Sequence, residues 1–157
     1  MALTNQVALV TGGGTGVGAA IARRFAGAGA RVVIVGRREE PLRKVAESLD
    51  SALVETATAD VTDRAQVAQL VERVVGAYGR LDILVNNAGV NLPERRLEQL
   101  TPENWDMLME INATGAFNMM HAVLPHMRRQ GGGVIISVSS ISGVRPSALA
   151  GAAYSAS

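Results

Sequence analysis

The run Thr11–Gly18 reads TGGGTGVG, five glycines in eight residues. It follows a strand-like segment and opens a helix-like one. Backbone N–H groups at a helix N-terminus, with no Cβ in the way, suit the pyrophosphate of a dinucleotide. Gly12, Gly16 and Gly18 fit the spacing G-x-x-x-G-x-G. The tighter G-x-G-x-x-G template fits only from Gly14 through Gly16 to Ala19, with Ala in the last place. A glycine-rich turn of this kind can also be just a tight strand-to-helix connection. The phosphate-gripping Lys of a P-loop is absent, which argues against nucleoside triphosphate hydrolysis.

Three further positions have the chemistry of a proton-transfer site. Ser139 and Ser140 stand just past an apolar strand, where ligands bind in open α/β sheets. Turn formation is the plainer use of such a pair. Tyr154 follows Ser140 by fourteen residues. A free tyrosine ionises near pH ~10, so it needs a cation beside it to act near neutrality. Asn112 lies on the otherwise apolar stripe Trp105, Leu108, Asn112, Gly115, Met119. A buried amide is costly unless satisfied, so Asn112 is either a structural residue bonded to nearby backbone or part of a site.

The second strand ends in Gly36-Arg37-Arg38. A site for NAD usually has an acidic side chain here to hold the ribose 2′-hydroxyl. Glycine cannot do that, whereas Arg37 can meet a 2′-phosphate bidentately. The reading favours NADP over NAD. The alternative is that Arg37 and Arg38 are solvated charges, paired with Glu39 or Glu40.

These residues need a scaffold, and the hydrophobic pattern predicts one. Gln6–Thr11, Arg31–Val35, Ile83–Val85 and Val134–Val138 are short continuous apolar runs, as parallel strands covered on both faces require. Leu53–Ala59 is a weaker strand. Between them, Val17, Ile21, Phe25 and Ala28 predict a helix stripe ending at Gly27 and Gly29. Val67, Leu70, Val71, Val74 and Tyr78 predict another, capped by Thr62-Asp63 and stopped at Gly79. A long helix is expected from Thr101 to Arg129. Thr101 is its cap, Pro102 and Glu103 sit in its first turn, and Gly131–Gly133 end it. The alternation implies an α/β fold, a doubly wound parallel sheet, in one domain over residues 1–157.

Bulk properties narrow the function. With 157 residues, 48% hydrophobic and 18% charged, the chain is globular rather than disordered. A net charge of +1 gives no polybasic signature for nucleic acid. No apolar run reaches membrane-spanning length. Cysteine is absent, which excludes disulfides and thiolate chemistry and fits a reducing cytoplasm. His121 and His126 are too few for a His-rich metal site, and read as surface or packing residues. Trp105 and the methionines 107, 109, 119, 120 and 127 read as packing.

In order along the chain, TGGGTGVG at 11–18, Asp60-Val61, Asn86-Asn87-Ala88-Gly89, Asn112 in INATG, SSISG at 139–143 and Tyr154-Ser155-Ala156-Ser157 together resemble the short-chain dehydrogenase/reductase family. The resemblance covers the whole chain and is most similar to the 3-oxoacyl-carrier-protein reductase type. It implies a Rossmann fold with strand order 3-2-1-4-5. It also implies cofactor contacts from Gly12, Gly14, Thr15, Gly16, Val17, Gly18, Arg37, Asp60, Val61, Asn87, Ala88 and Gly89. Asp60 and Val61 would border the adenine. Tyr154 would be the general acid/base, Ser140 would hold the carbonyl oxygen, and Asn112 would anchor a water-mediated proton path.

The implied activity is hydride transfer between NADP(H) and a small-molecule carbonyl or secondary alcohol, with no metal, in a cytoplasmic homotetramer. Two alternatives accompany it: an NAD-dependent alcohol dehydrogenase of the same family, or a nucleotide-binding fragment without catalysis. In the family a Lys follows the Tyr by four residues, which would be position 158. The expectation is therefore a C-terminally truncated chain lacking strands six and seven, inactive by itself, with the fifth strand left as an uncovered apolar edge.

Overall fold

The computed structural model describes residues 2–49, 52–145 and 149–157. Strands β1 (Val7–Thr11), β2 (Arg31–Gly36), β3 (Val54–Thr58), β4 (Ile83–Asn86) and β5 (Val134–Ser137) form one sheet. All pairings are parallel, and the order is β3-β2-β1-β4-β5. The chain therefore winds outward from β1 to β3, then crosses to β4 on the other side. That reversal puts a crevice at the C-terminal ends of β1 and β4, the place where open α/β sheets bind ligands.

Helices α1 (Gly16–Gly27), α2 (Glu39–Glu47), α3 (Arg64–Tyr78), α4 (Pro102–Met109), α5 (Gly115–Arg129) and the short α6 (Ala152–Ala156) complete the chain. Successive strand residues point to opposite faces, and both faces are covered. Leu9, Val33 and Leu84 meet Val67, Leu70, Val71 and Val74 of α3 and Met119, Val123 and Met127 of α5. Val10, Ile34 and Val85 meet Ala22 and Ala26 of α1 and Leu42 of α2. This two-sided burial is why β1, β2 and β4 read as unbroken apolar runs.

The α3 stripe is the predicted one, and its cap is Asp63. The Asp63 carboxylate accepts the Ala65 and Gln66 N–H groups at 2.9 and 3.0 Å. Gly79 ends the helix in the left-handed region, at φ 73°. On α1 the buried stripe differs from the expected one. Gly18, Ala22 and Ala26 face the sheet, while Val17 is exposed and Ile21 and Phe25 pack at the flank. Small side chains win because they let the helix lie close against the strands. Helix α2 was not anticipated. Only Leu42 on it is fully buried, and its outer face is held by Glu40–Lys44 and Arg43–Glu47 pairs at 2.8 and 2.6 Å. Its signal was the spacing Leu42, Val45, Ala46, Leu49, all packed on the sheet.

The predicted helix from 101 to 129 is continuous, with one departure. Thr101 caps it through the Asn104 N–H at 3.2 Å, with Pro102 first in the helix. Between α4 and α5, residues Glu110–Thr114 form a π-turn in which the Gly115 N–H reaches the Glu110 carbonyl. At the other end of the sheet, β5 is an edge whose Val134 and Ile136 are exposed, as is Val138 just beyond it. The sequence turn at 142–146 begins in a 3₁₀ turn over Ile141–Gly143, and Pro146 lies outside the described residues.

Asp82 anchors the N-terminal edge of the sheet. Its carboxylate accepts the Val7 N–H at 2.8 Å and a two-pronged bond from Arg80 at 2.7 to 3.1 Å. Burial pushes its pKa up, but the Arg80 guanidinium and the Val7 N–H outweigh this and leave it below the ordinary value. A depressed carboxylate stabilises the fold above its unfolded pKa, about 3.9, and loses that contribution as pH falls through the folded value. Asp82→Asn should therefore cost about 1–2 kcal/mol at pH 7. The gap to wild type should shrink below about pH 4. Urea unfolding midpoints from pH 7 to 3 measure both.

Candidate active site

A knot of hydrogen bonds ties β1 to β4 at the crevice. The Thr11 hydroxyl, 2% exposed, donates to the Val85 carbonyl at 3.3 Å. It also accepts the Asn87 and Ala88 N–H groups, each at 3.0 Å. The Asn87 amide donates to the carbonyls of Thr11 and Gly12 at 3.0 and 3.2 Å. Gly18 packs into the same place. A Cβ on it would collide with the Gly12 carbonyl and lie 2.5 Å from the Asn87 amide nitrogen. Gly12, at φ 65°, is equally confined by Asn87 and Ala88. Thr11 was not among the residues singled out in the sequence. A Thr ending a buried strand, directly before the glycines, was the available signal.

Two cavities flank this knot. The first, about 190 Å³, is lined by Gly12, Gly14 and Thr15, by Gly36, Arg37, Arg38, Pro41 and Leu42, and by Ala59, Asp60 and Val61. Asp60 is shaped by its own turn, its Oδ1 accepting the Thr62 N–H and hydroxyl at 3.0 and 2.8 Å. Among the described residues neither Arg37 nor Arg38 has a hydrogen-bond or ion-pair partner. Glu40 pairs with Lys44 instead. The sequence singled out Arg37 alone, but Arg38 lines the cavity too.

The second cavity, about 610 Å³, gathers residues far apart in sequence. Val17, Asn87, Asn112, Ser140 and Tyr154 all line it. Ala88, Gly89 and Val90 line both cavities, so the two meet there. Of the predicted residues, Gly16 and Gly18 line neither; Gly18 is buried in the knot behind.

The π-turn explains Asn112. Its Oδ1 accepts the Val90 N–H at 2.8 Å, and its amide donates to the Val90 carbonyl at 3.0 Å and to the Ser157 hydroxyl at 2.8 Å. The side chain is fully bonded and joins three segments: the helix, the loop after β4, and α6. At Ser140 the hydroxyl oxygen accepts the Ser142 N–H at 3.2 Å. That is turn chemistry, yet it uses only a lone pair and leaves the O–H free to donate. Tyr154 is half-buried on α6.

A dinucleotide fits these surroundings on structural grounds. The buried Asn86 Oδ1 and Ser155 Oγ lack hydrogen-bond partners among the described residues, and both residues line the larger cavity. Such atoms are satisfied by an ordered water or by the polar group of a bound ligand. His121 and His126 stand apart from the site. His121 stacks near Phe117, and His126 bonds Glu72 and Arg129. Among the described residues no cluster of three or more metal-ligating side chains occurs, and no helix is long and apolar enough to cross a membrane.

Comparison with known proteins agrees with this geometry. The family model described as short chain dehydrogenase matches residues 6–157. The 3-oxoacyl-acyl-carrier-protein reductase of Thermotoga maritima is 40% identical over 147 residues, 92% of this chain and 59% of that protein. An oxidoreductase of Staphylococcus saprophyticus is 41% identical over 144 residues, 90% of this chain and 61% of that one. A metagenomic short-chain oxidoreductase solved in complex with NADP superposes with a TM-score of 0.92 at 39% identity, covering 99% of this chain and 71% of that one. Levodione reductase superposes at 0.90 with 36% identity, covering 98% and 61%. The chain belongs to the short-chain dehydrogenase family, whose members are NAD(P)-binding oxidoreductases of Rossmann fold. It spans 59% and 61% of the two curated relatives described here.

The knot gives a direct prediction. Thr11→Val keeps the shape but strands the Asn87 and Ala88 N–H groups. It should lower stability by about 2 kcal/mol, read as a lower urea midpoint at unchanged slope.

Proposed function

We propose that the protein carrying this sequence is an NADPH-dependent carbonyl reductase acting on a ketone or a 3-oxoacyl thioester. The observation that carries the reading is the larger cavity. Tyr154 from α6, Ser140 from the end of β5 and Asn112 from the π-turn converge on it, and it joins the cleft lined by Arg37. Its neighbours in sequence and structure include a 3-oxoacyl-acyl-carrier-protein reductase and an NADP complex, which supports the same class.

NADPH, when bound, would supply the hydride. Gly12, Gly14, Thr15 and Val17, which line the cavities, would hold the pyrophosphate, with Gly16 in the same turn and Gly18 packed behind it against the Gly12 carbonyl. Asp60 and Val61 would border the adenine. Arg37 would meet the 2′-phosphate, with Arg38 beside it on the same cavity wall. Asn87, Ala88 and Gly89 would line the passage between the cavities.

Ser140, its hydroxyl hydrogen free, donates to the substrate carbonyl oxygen. Tyr154 gives its proton to the oxygen as negative charge develops there, and takes it back in the reverse direction. Asn112 anchors the water-mediated path that replaces the proton. Self-association as a homotetramer belongs to the same reading, supported by the exposed Phe117 and Leu124 on α5.

Assays of NADPH oxidation with a panel of ketones and 3-oxoacyl thioesters test the proposal. Tyr154→Phe should lower kcat by at least about 100-fold. Full activity in that variant would refute the assigned chemistry. Arg37→Ala should weaken NADPH binding about tenfold or more with little change for NADH. Equal losses for the two cofactors would overturn the preference.

A further inference from the structure

Tyr154 rides on a helix of five residues, Ala152–Ala156. Isolated helices this short do not persist in water, so something else must fix its position. At its far end, Ser157 bonds Asn112. Its near end is held by a second device.

Two loops touch there: the one after β4, at residues 91–95, and the turn at 149–151 that leads into α6. The Asn91 amide donates to the Ala150 carbonyl at 3.2 Å. Arg95 reaches across with Nη1 to the Leu149 carbonyl at 2.7 Å and braces itself with Nε on the Leu92 carbonyl at 2.5 Å. Asn91 is stiffened in turn, its Oδ1 accepting the Leu92 N–H at 2.8 Å. The backbones meet at Gly151, which has φ 84°. A Cβ there would lie 2.5 Å from the Arg95 carbonyl oxygen and 2.7 Å from its Cβ. Ala150, which carries one of the two bonded carbonyls, is buried although Leu149 beside it is exposed.

We infer that Arg95, with Asn91 and Gly151, is a positioning element. It clasps the turn before α6 to the loop after β4 and so sets where the Tyr154 hydroxyl stands relative to Ser140. Arg95 is exposed, touches no part of the cofactor cleft and lines neither cavity. It acts through Tyr154, and to that extent the inference rests on the function proposed above. The geometry is specific to arginine. One planar guanidinium bonds two carbonyls from different loops, which a lysine ammonium can only partly reproduce.

The test compares Arg95→Ala, Arg95→Lys, Gly151→Ala and the control Arg96→Ala in the whole purified protein that carries this sequence. The side chain of Arg96 makes only a loose surface pair with Glu98 at 3.8 Å. Two readouts are used: steady-state carbonyl reduction, and amide hydrogen exchange over residues 152–157. Arg95→Ala and Gly151→Ala should speed exchange across α6 and lower kcat by about tenfold or more, with KM for NADPH changed less than about threefold. Arg95→Lys should recover part of both losses, and Arg96→Ala should match wild type.

In a Tyr154→Phe background, Arg95→Ala should bring no further loss of kcat, because both changes disable one group. Unchanged exchange over α6 in Arg95→Ala would overturn the clasp, as would losses that multiply in the double variant. Absence of turnover in wild type would instead refute the proposed function, and the exchange measurement would still decide the clasp by itself.

Discussion

Everything at the crevice depends on one close approach. The first turn of α1 lies so near the end of β1 that only hydrogen fits on Gly18, and the Asn87 amide fills the remaining gap by bonding the Thr11 and Gly12 carbonyls. Thr11 closes the arrangement by accepting the N–H groups of Asn87 and Ala88, just past the end of β4. The ends of β1 and β4, the glycine turn and the head of α1 therefore form one rigid body. The shape of the glycine turn comes from that rigidity rather than from glycine flexibility. The glycines are needed because backbone must pass where a side chain would collide.

A second constraint carries the side of the larger cavity where Asn112, Ser140 and Tyr154 meet. The extra residue of the π-turn interrupts an otherwise regular helix at Asn112, whose amide then stitches the β4 loop and α6 together. Asn112 is half-buried and fully bonded, so the cost of placing an amide in an apolar helix face is met by backbone and hydroxyl partners. Ser140 shows a similar economy of atoms. Its oxygen shapes the 3₁₀ turn as an acceptor, while its hydrogen stays available for a substrate.

Much of this was legible in the residues. The strands announced themselves because the middle of a parallel sheet covered on both faces is apolar at successive positions, as in residues 7–10 and 83–85. Helix α3 was legible because a wide stripe of Val and Leu sits between Asp63 and Gly79. Helix α2 escaped notice because most of its surface is charged and only one side chain is fully buried. The buried stripe of α1 was misread, since Ala and Gly carry little hydrophobic signal even when they face the core. The candidate site residues could be named from ordered motifs. The partners that hold them, Val90, Ser157 and the Arg95 clasp, had no pattern to betray them, because each contact joins segments more than twenty residues apart.

The sequence by itself determined the fold class, the strand order its family shares, and which side chains are candidates for the site. These follow from local periodicity, from the conformations glycine and proline impose, and from ordered motifs. Tertiary structure alone decided how those side chains stand to one another. It placed Asn112 on a π-turn, left Arg37 and Arg38 free of Glu39 and Glu40, and bound the turn before Tyr154 to a loop over fifty residues earlier. Such outcomes depend on hydrogen bonds and close contacts between distant segments, and those form only once the sheet has brought the segments together.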